Sequence, residues 1–152
     1  MALTILIQNT AWKQAWPEAR TIIRRAVKAV FTHQHEKFTD LAIVLMDDAS
    51  ITPLNYNYRG KNAPTNVLSF ANDEEEADGD MLGDVLLAYE TIDKEAREQK
   101  KALSDHATHL VVHGVLHLLG YDHKSEAEAT VMEAHEIAIL ATLGVANPYQ
   151  IR

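Results

Sequence analysis

Cysteine is absent from this chain of 152 residues. Disulfide bonds and thiolate metal ligands are therefore excluded, and any metal must be held by histidine and carboxylate. No apolar run approaches the roughly 20 residues that a membrane-spanning helix needs, and Met1 to Gln8 carries neither a positive leader nor a small-residue cleavage site. The expectation is a soluble, non-exported, cytoplasmic protein. Positive charge is scarce: Lys and Arg number 14 against 22 Asp and Glu, a formal net charge of -8 at pH 7. That balance argues against broad attraction to a polyanion or an anionic membrane, so any nucleic-acid contact must be local. Aromatic residues make up only 7%, and Trp12, Trp16 and the tyrosines are too scattered along the chain to suggest a base-stacking platform. Internal repeats, low-complexity tracts and linkers are lacking as well, so residues 1–152 read as one domain.

What is present begins with alternation. Leu3, Ile5 and Ile7 alternate with polar residues apart from Leu6, which predicts a half-buried strand over the first eight residues. Pro17 suits the first turn of a helix, and the apolar spacing of Ile22, Ile23, Ala26, Val27 and Val30 extends that helix to about His33. Leu41 to Met46 is a continuous apolar run bounded by acidic residues, the pattern of a strand covered on both faces. Asp47 to Ser50 supplies cap-type residues for a short helix that ends near Tyr58-Arg59-Gly60.

Lys61 to Asn66 is loop-like, Val67 to Phe70 is a short strand, and Asp73 to Asp80 reads as a solvated acidic loop in which calcium-loop spacing is missing. Met81 to Ala88 gives one more strand. The rest is helical: about Thr91 to Lys101, a helix with Ser104 as its N-cap, and a last helix capped by Ser125 and reaching about Leu143. Arg20, Arg24 and Lys28, with Arg25 beside them, and later Lys94, Arg97, Lys100 and Lys101, read as solvated faces. Early alternation of strands and helices followed by helices alone predicts an α+β fold, a mixed and roughly four-stranded sheet packed against helices.

The chemistry concentrates in His113-Gly114-Val115-Leu116-His117-Leu118-Leu119-Gly120-Tyr121-Asp122-His123. In a helix, His113 and His117 project from one face about a turn apart. Gly120 lets the helix end in a left-handed turn, so the chain can fold back and bring His123 to the same point. Three imidazoles would leave a fourth coordination position open, the arrangement of catalytic zinc. The bland alternative is a pair of satisfied core histidines plus a loop histidine, but a buried imidazole needs a partner and a metal supplies one. His106 and His109 precede this block on the same helix and are read as non-ligands, since a fourth protein ligand would close the site.

A three-histidine metal site suits hydrolysis. A metalloprotease helix carries glutamate directly after its first histidine, and here Gly114 cannot take a proton. Arg59 could clamp a phosphate, fixed in charge at any working pH, although it is equally an ordinary surface arginine. Asp84 is a candidate base or ligand-orienting group, with a strand-end hydrogen bond as its plain reading. Asp122 could accept the free ring N–H of a histidine or merely cap a turn. Met132 could pack beneath the metal, with core filler as the default.

Three blocks together resemble the bacterial YbeY family of metal-dependent endoribonucleases: Leu54-Asn55-Tyr56-Asn57-Tyr58-Arg59 through Pro64-Thr65-Asn66-Val67-Leu68-Ser69-Phe70, then Gly83-Asp84-Val85, then His113 to His123. With the order of elements, the resemblance covers nearly the whole chain. It implies one Zn2+ on His113, His117 and His123, an Arg59 that supports cleavage of single-stranded RNA, and a role in ribosomal RNA processing, notably at the 3' end of 16S rRNA, and in ribosome quality control. One departure stands out: Asn66 replaces the aspartate usual in that block, where a turn hydrogen bond is the favoured reading. The acidic surface implies weak binding to free RNA and recruitment through ribosomal proteins or assembly factors. Two other classes compete: a non-catalytic ribosome-assembly module with a structural zinc, and a zinc-dependent peptidase or small-molecule hydrolase.

Overall fold

The computed structural model describes residues 2–71 and 81–150; the acidic stretch Asp73 to Asp80 lies outside the described residues. The elements run β1 (Leu3–Ile7), α1 (Thr10–Ala15), α2 (Ala19–Gln34), β2 (Asp40–Met46), α3 (Asp48–Arg59), β3 (Val67–Ala71), β4 (Met81–Ala88), α4 (Tyr89–Glu98), α5 (Leu103–Leu118) and α6 (Glu126–Thr142). The sheet is four-stranded and mixed as predicted, in the order β1-β2-β4-β3. β1 and β4 run parallel to β2, while β3 pairs antiparallel with β4 and forms one edge.

The apolar run of β2 is covered on both faces. Leu41, Ile43 and Leu45 join the main core with Ile23, Val27 and Val30 of α2 and Val111, Val112 and Val115 of α5. Val44 and Met46 face the other way, into a smaller cluster with Ile51 of α3, Leu68 of β3 and Leu86 and Ala88 of β4. Strand periodicity is what divides them. In β1, Ile5 is buried while Leu6 stands 48% exposed, so its one break in alternation points outward.

Several boundaries differ from the sequence expectation. Helix α1 was not predicted: it is capped by Asn9, whose side chain accepts from Trp12 N, and it buries Trp12, whose indole N–H donates to Met46 O at 2.8 Å. The tryptophans are thus core, not surface. Pro17 lies before α2, which begins at Ala19 behind Glu18. Helix α4 begins at Tyr89, ahead of Thr91, and ends at Glu98, short of Lys101. Ser104 is inside α5 rather than at its cap, which is Ala102; Leu103 packs against the main core, so burial draws the helix start back by two residues. The predicted caps Asp47 and Ser125 do accept from Ser50 N and Glu128 N.

Helix α5 is buried on nearly every side, as expected of a helix that is apolar all round. It lies across β3 and β4 so closely that a Cβ added at Gly114 would come within 2.5 Å of Val85 Cγ1. Ser69 Oγ donates to the Gly114 carbonyl at 3.2 Å across the same contact. Gly83 meets an equal demand on β4: its φ is +150°, and a Cβ there would lie 2.2 Å from Phe70 O and 2.8 Å from Leu118 Cδ2.

Gly114→Ala is expected to push α5 off the sheet at a cost of about 1–3 kcal/mol, the usual range for overpacking. Urea denaturation checks this; the midpoint should fall with an unchanged slope.

Candidate metal centre and RNA cleft

A cleft of about 730 Å3 opens at the β3 edge, with α3 on one side and the C-terminal half of α5 on the other. Asn55 of α3, buried, donates to Ala63 O at 2.8 Å and ties down the loop that leads to β3. Arg59 is the last residue of α3, exposed beside Gly60, whose φ of +74° ends the helix in a left-handed turn. Tyr58, 55% exposed, stands over Phe70 with ring centroids 4.5 Å apart. Tyr58 and Arg59 therefore line the same wall, an aromatic face beside a cation, although the tyrosines are scattered in sequence.

The histidines form the opposite wall. Gly120 has φ +108°, its N–H reaches His117 O at 3.0 Å, and Tyr121 N reaches Leu116 O at 3.2 Å. The chain folds back as the glycine predicts. The His123 ring lies 5.4 Å from that of His113 and 6.3 Å from that of His117. His117, Asp122 and His123 form the tightest group, one ligand atom from each lying within 4.8 Å of the others; His113 lines the same cleft beside them. Asp122 caps its turn, accepting from His123 N at 2.7 Å, and its other oxygen stands 3.7 Å from Lys124 Nζ. That backbone hydrogen bond holds the Asp122 carboxyl below its ordinary pKa.

Glu136 of α6 organises the histidines from behind and was not anticipated from sequence. It is 1% exposed and accepts from His109 Nε2 at 2.6 Å, from His113 Nδ1 at 2.9 Å and from the Tyr149 hydroxyl at 2.5 Å. Burial alone would raise its pKa, but the hydrogen bonds from His109 and His113 outweigh it and bring the carboxyl down to about 2. An ionised carboxylate only accepts, so His113 must carry its proton on Nδ1. That leaves Nε2 as its nitrogen for the cleft, which His113 lines. Burial lowers the pKa of His117 against the pull of Asp122, and its Nδ1 is buried without a hydrogen-bond partner. The imidazoles of His117 and His123 grouped with Asp122, and His113 beside them with a carboxylate behind its ring, are a donor set that fits a borderline divalent ion.

The family profile described as "Endoribonuclease YbeY" matches residues 6–144. The chain belongs to that family. Proteins of the same name are 49% identical over 155 residues in Paramagnetospirillum magneticum, covering 97% of this chain and 94% of the relative, and 54% identical over 122 residues in Magnetococcus marinus, covering 72% and 82%. A solution structure of the Thermotoga maritima protein TM1509 superposes with a TM-score of 0.60 at 21% identity, covering 99% of this chain and 100% of that one, a likeness of fold.

The remaining sequence candidates separate. Asp84 pairs with Phe70 across the sheet and alternates with Val85, which joins the α5 core, so it belongs to the α3 side; burial raises its pKa, and it is not among the cleft-lining residues. His106 donates to Glu95 at 2.8 Å and His109 to Glu136, so both have partners away from the cleft. Met132 is core filler. Asn66 lines the cleft, and its amide donates to Glu95 at 3.0 Å, a bond to α4 rather than within its own turn. An aspartate cannot make that donation.

Asn66→Asp should therefore destabilise this chain by about 1–2 kcal/mol at neutral pH, the scale of a lost hydrogen bond. Two facing carboxylates raise each other's pKa, so the loss should shrink as pH falls and they protonate. Denaturation midpoints at neutral and mildly acidic pH test both points.

Proposed function

We propose that residues 1–152 act as one hydrolase domain, a single-strand-specific, zinc-dependent endoribonuclease of ribosomal RNA processing. The observation that carries this reading is the meeting of three imidazoles and Arg59 on opposite walls of one cleft, in a chain of an endoribonuclease family. Family membership favours it over the assembly-module and peptidase or small-molecule hydrolase readings. His113, His117 and His123 would hold one Zn2+, with Asp122 adjoining. When bound, such an ion polarises a phosphoryl oxygen and lowers the pKa of water.

The chain's own residues supply the rest. Arg59, with no ion pair among the described residues, is free to pair with a non-bridging phosphate oxygen and to neutralise charge as the phosphodiester is attacked. Lys124 adds a second cation at the rim. The exposed Tyr58 ring offers stacking to an unpaired base, which favours single strands because a base in a duplex is already stacked. Asp122 is the one carboxylate among the described cleft residues, and it is the proposed proton acceptor in place of Asp84. Glu136 keeps His113 in its ligating tautomer.

In the cell, we place this activity in the cytoplasm, at the 3' end of 16S rRNA and in late ribosome quality control. No helix of the described residues is long and apolar enough to cross a membrane. With a net charge of -8, the protein should bind free RNA weakly and reach its substrate through ribosomal proteins or assembly factors.

His117→Ala should lose the metal and the cleavage of single-stranded ribosomal RNA together; metal loss with undiminished cleavage would refute the metallonuclease. Glu136→Gln should weaken metal affinity roughly 10- to 100-fold, the usual effect of disturbing a group that orients a ligand; equilibrium dialysis reads it.

Arg59→Ala should retain metal and lower kcat by about 100-fold or more. Tyr58→Ala should chiefly raise KM, since stacking is worth about 1–3 kcal/mol per base. Single-turnover and steady-state kinetics on one single-stranded oligonucleotide separate the two effects.

A further inference from the structure

A second pair of imidazoles meets where α2 crosses α6. His33, in the last turn of α2, brings Nε2 to 3.2 Å from Nδ1 of His135 on α6. Both side chains are half-buried and their rings meet edge-on, at 76° with centroids 5.4 Å apart. Gln34 Nε2 stands 3.4 Å from the same His135 nitrogen. The Tyr121 hydroxyl donates to Gln34 Oε1 at 2.6 Å, and its ring lies against that of His135, 4.9 Å between centroids. A hollow of about 170 Å3 opens at Gln34 and Tyr121, with Glu36 and Gly120 also on its wall.

Two features make this pair more than a chance contact. The first is its bite. Two nitrogens bound at 2.0–2.1 Å to one tetrahedral ion stand roughly 3.3–3.4 Å apart, and the observed separation is within a few tenths of an ångström of that. The second is the state of the rings. Burial, with the neighbouring His135 and His35, lowers the pKa of His33, so near neutral pH it offers a lone pair rather than a charge.

We propose that His33 Nε2 and His135 Nδ1 form a second metal site, separate from the cleft, which takes a borderline divalent cation such as Zn2+ or Cu2+ with water completing the shell. An all-imidazole donor pair selects such ions over Mg2+ or Ca2+, which prefer oxygen. With two protein ligands, the site is weaker than one with three. A bound ion would replace a single N–H···N hydrogen bond by two metal bonds and clamp α2 to α6. It would also brace the loop on which Tyr121 leads to Asp122 and His123. The site rests on its own residues and stands whether or not the cleft cleaves RNA.

The full metal-free chain, dialysed against rising Zn2+ with protein-bound metal counted, gives the test. Wild type should bind one more equivalent than either His33→Gln or His135→Gln, while RNA cleavage at low zinc is unchanged in both. Equal zinc stoichiometry in wild type and both variants overturns the proposal. A measurement without substitution guards against a variant that misfolds: a single equivalent of Cu2+ is added to wild type carrying one Zn2+ per chain, and its electron paramagnetic resonance is recorded. Nitrogen superhyperfine structure is expected from the two imidazoles, and a spectrum without nitrogen coupling overturns the site.

Discussion

The close approach of α5 to the sheet at Gly114 is the constraint on which the rest depends. Because this residue has no side chain, the helix settles against Val85 and Ser69, and the same seating carries His113 and His117 to the β3 edge, where the cleft lies. A helix one methyl further out would lose contacts along its whole buried length, since dispersion falls steeply with a gap of even half an ångström. Gly83 makes the matching concession from the sheet, admitting Leu118 and the Phe70 carbonyl. The absence of a protease-like glutamate after His113 thus has a structural cause as well as a chemical consequence: that position is packed against Val85 and cannot hold a base.

Behind this seated helix, Glu136 converts packing into electrostatics. A buried carboxylate is tolerated only when hydrogen-bond donors satisfy it, and leaving one unpaired costs about 1–3 kcal/mol or more. Here His109, His113 and Tyr149 supply the donors. The arrangement fixes the His113 tautomer, orients its ring and ties both α6 and the C-terminal segment to α5. The outer wall obeys the same economy: Asn55 holds the loop, Gly60 ends α3, and Arg59 is left exposed at the mouth. Rigid elements thus hold the side chains of both cleft walls in place.

Much of this was legible before any coordinates. The two-faced burial of β2, the outward Leu6, the caps Asp47 and Ser125 and the fold-back at Gly120 all follow from local rules, because periodicity and cap chemistry act over a few residues. Helix α1 escaped because six residues are too few to show a period, although Asn9 is a cap-type residue. Ser104 misled because a cap-type residue says nothing about burial, and Leu103 had a core to join. Glu136 escaped because a helical glutamate ordinarily faces water; its signal was its position between Met132, Ile139 and Leu140, on the apolar side of α6.

By itself the sequence determined the class of fold and the donors on offer: with no cysteine, a bound ion would sit on histidine or carboxylate, and His113, His117, Gly120 and His123 carry their spacing within eleven residues. Only tertiary structure decided which other groups share the cleft. It joined Arg59 and Tyr58 to the histidines, turned Asp84 to the far side of the sheet, set Asn66 against Glu95 and placed Glu136 behind His113. Asn66 and Glu95 stand 29 residues apart and His113 and Glu136 stand 23 apart, and residues so distant are brought together by packing, whose outcome depends on the whole core rather than on any short segment.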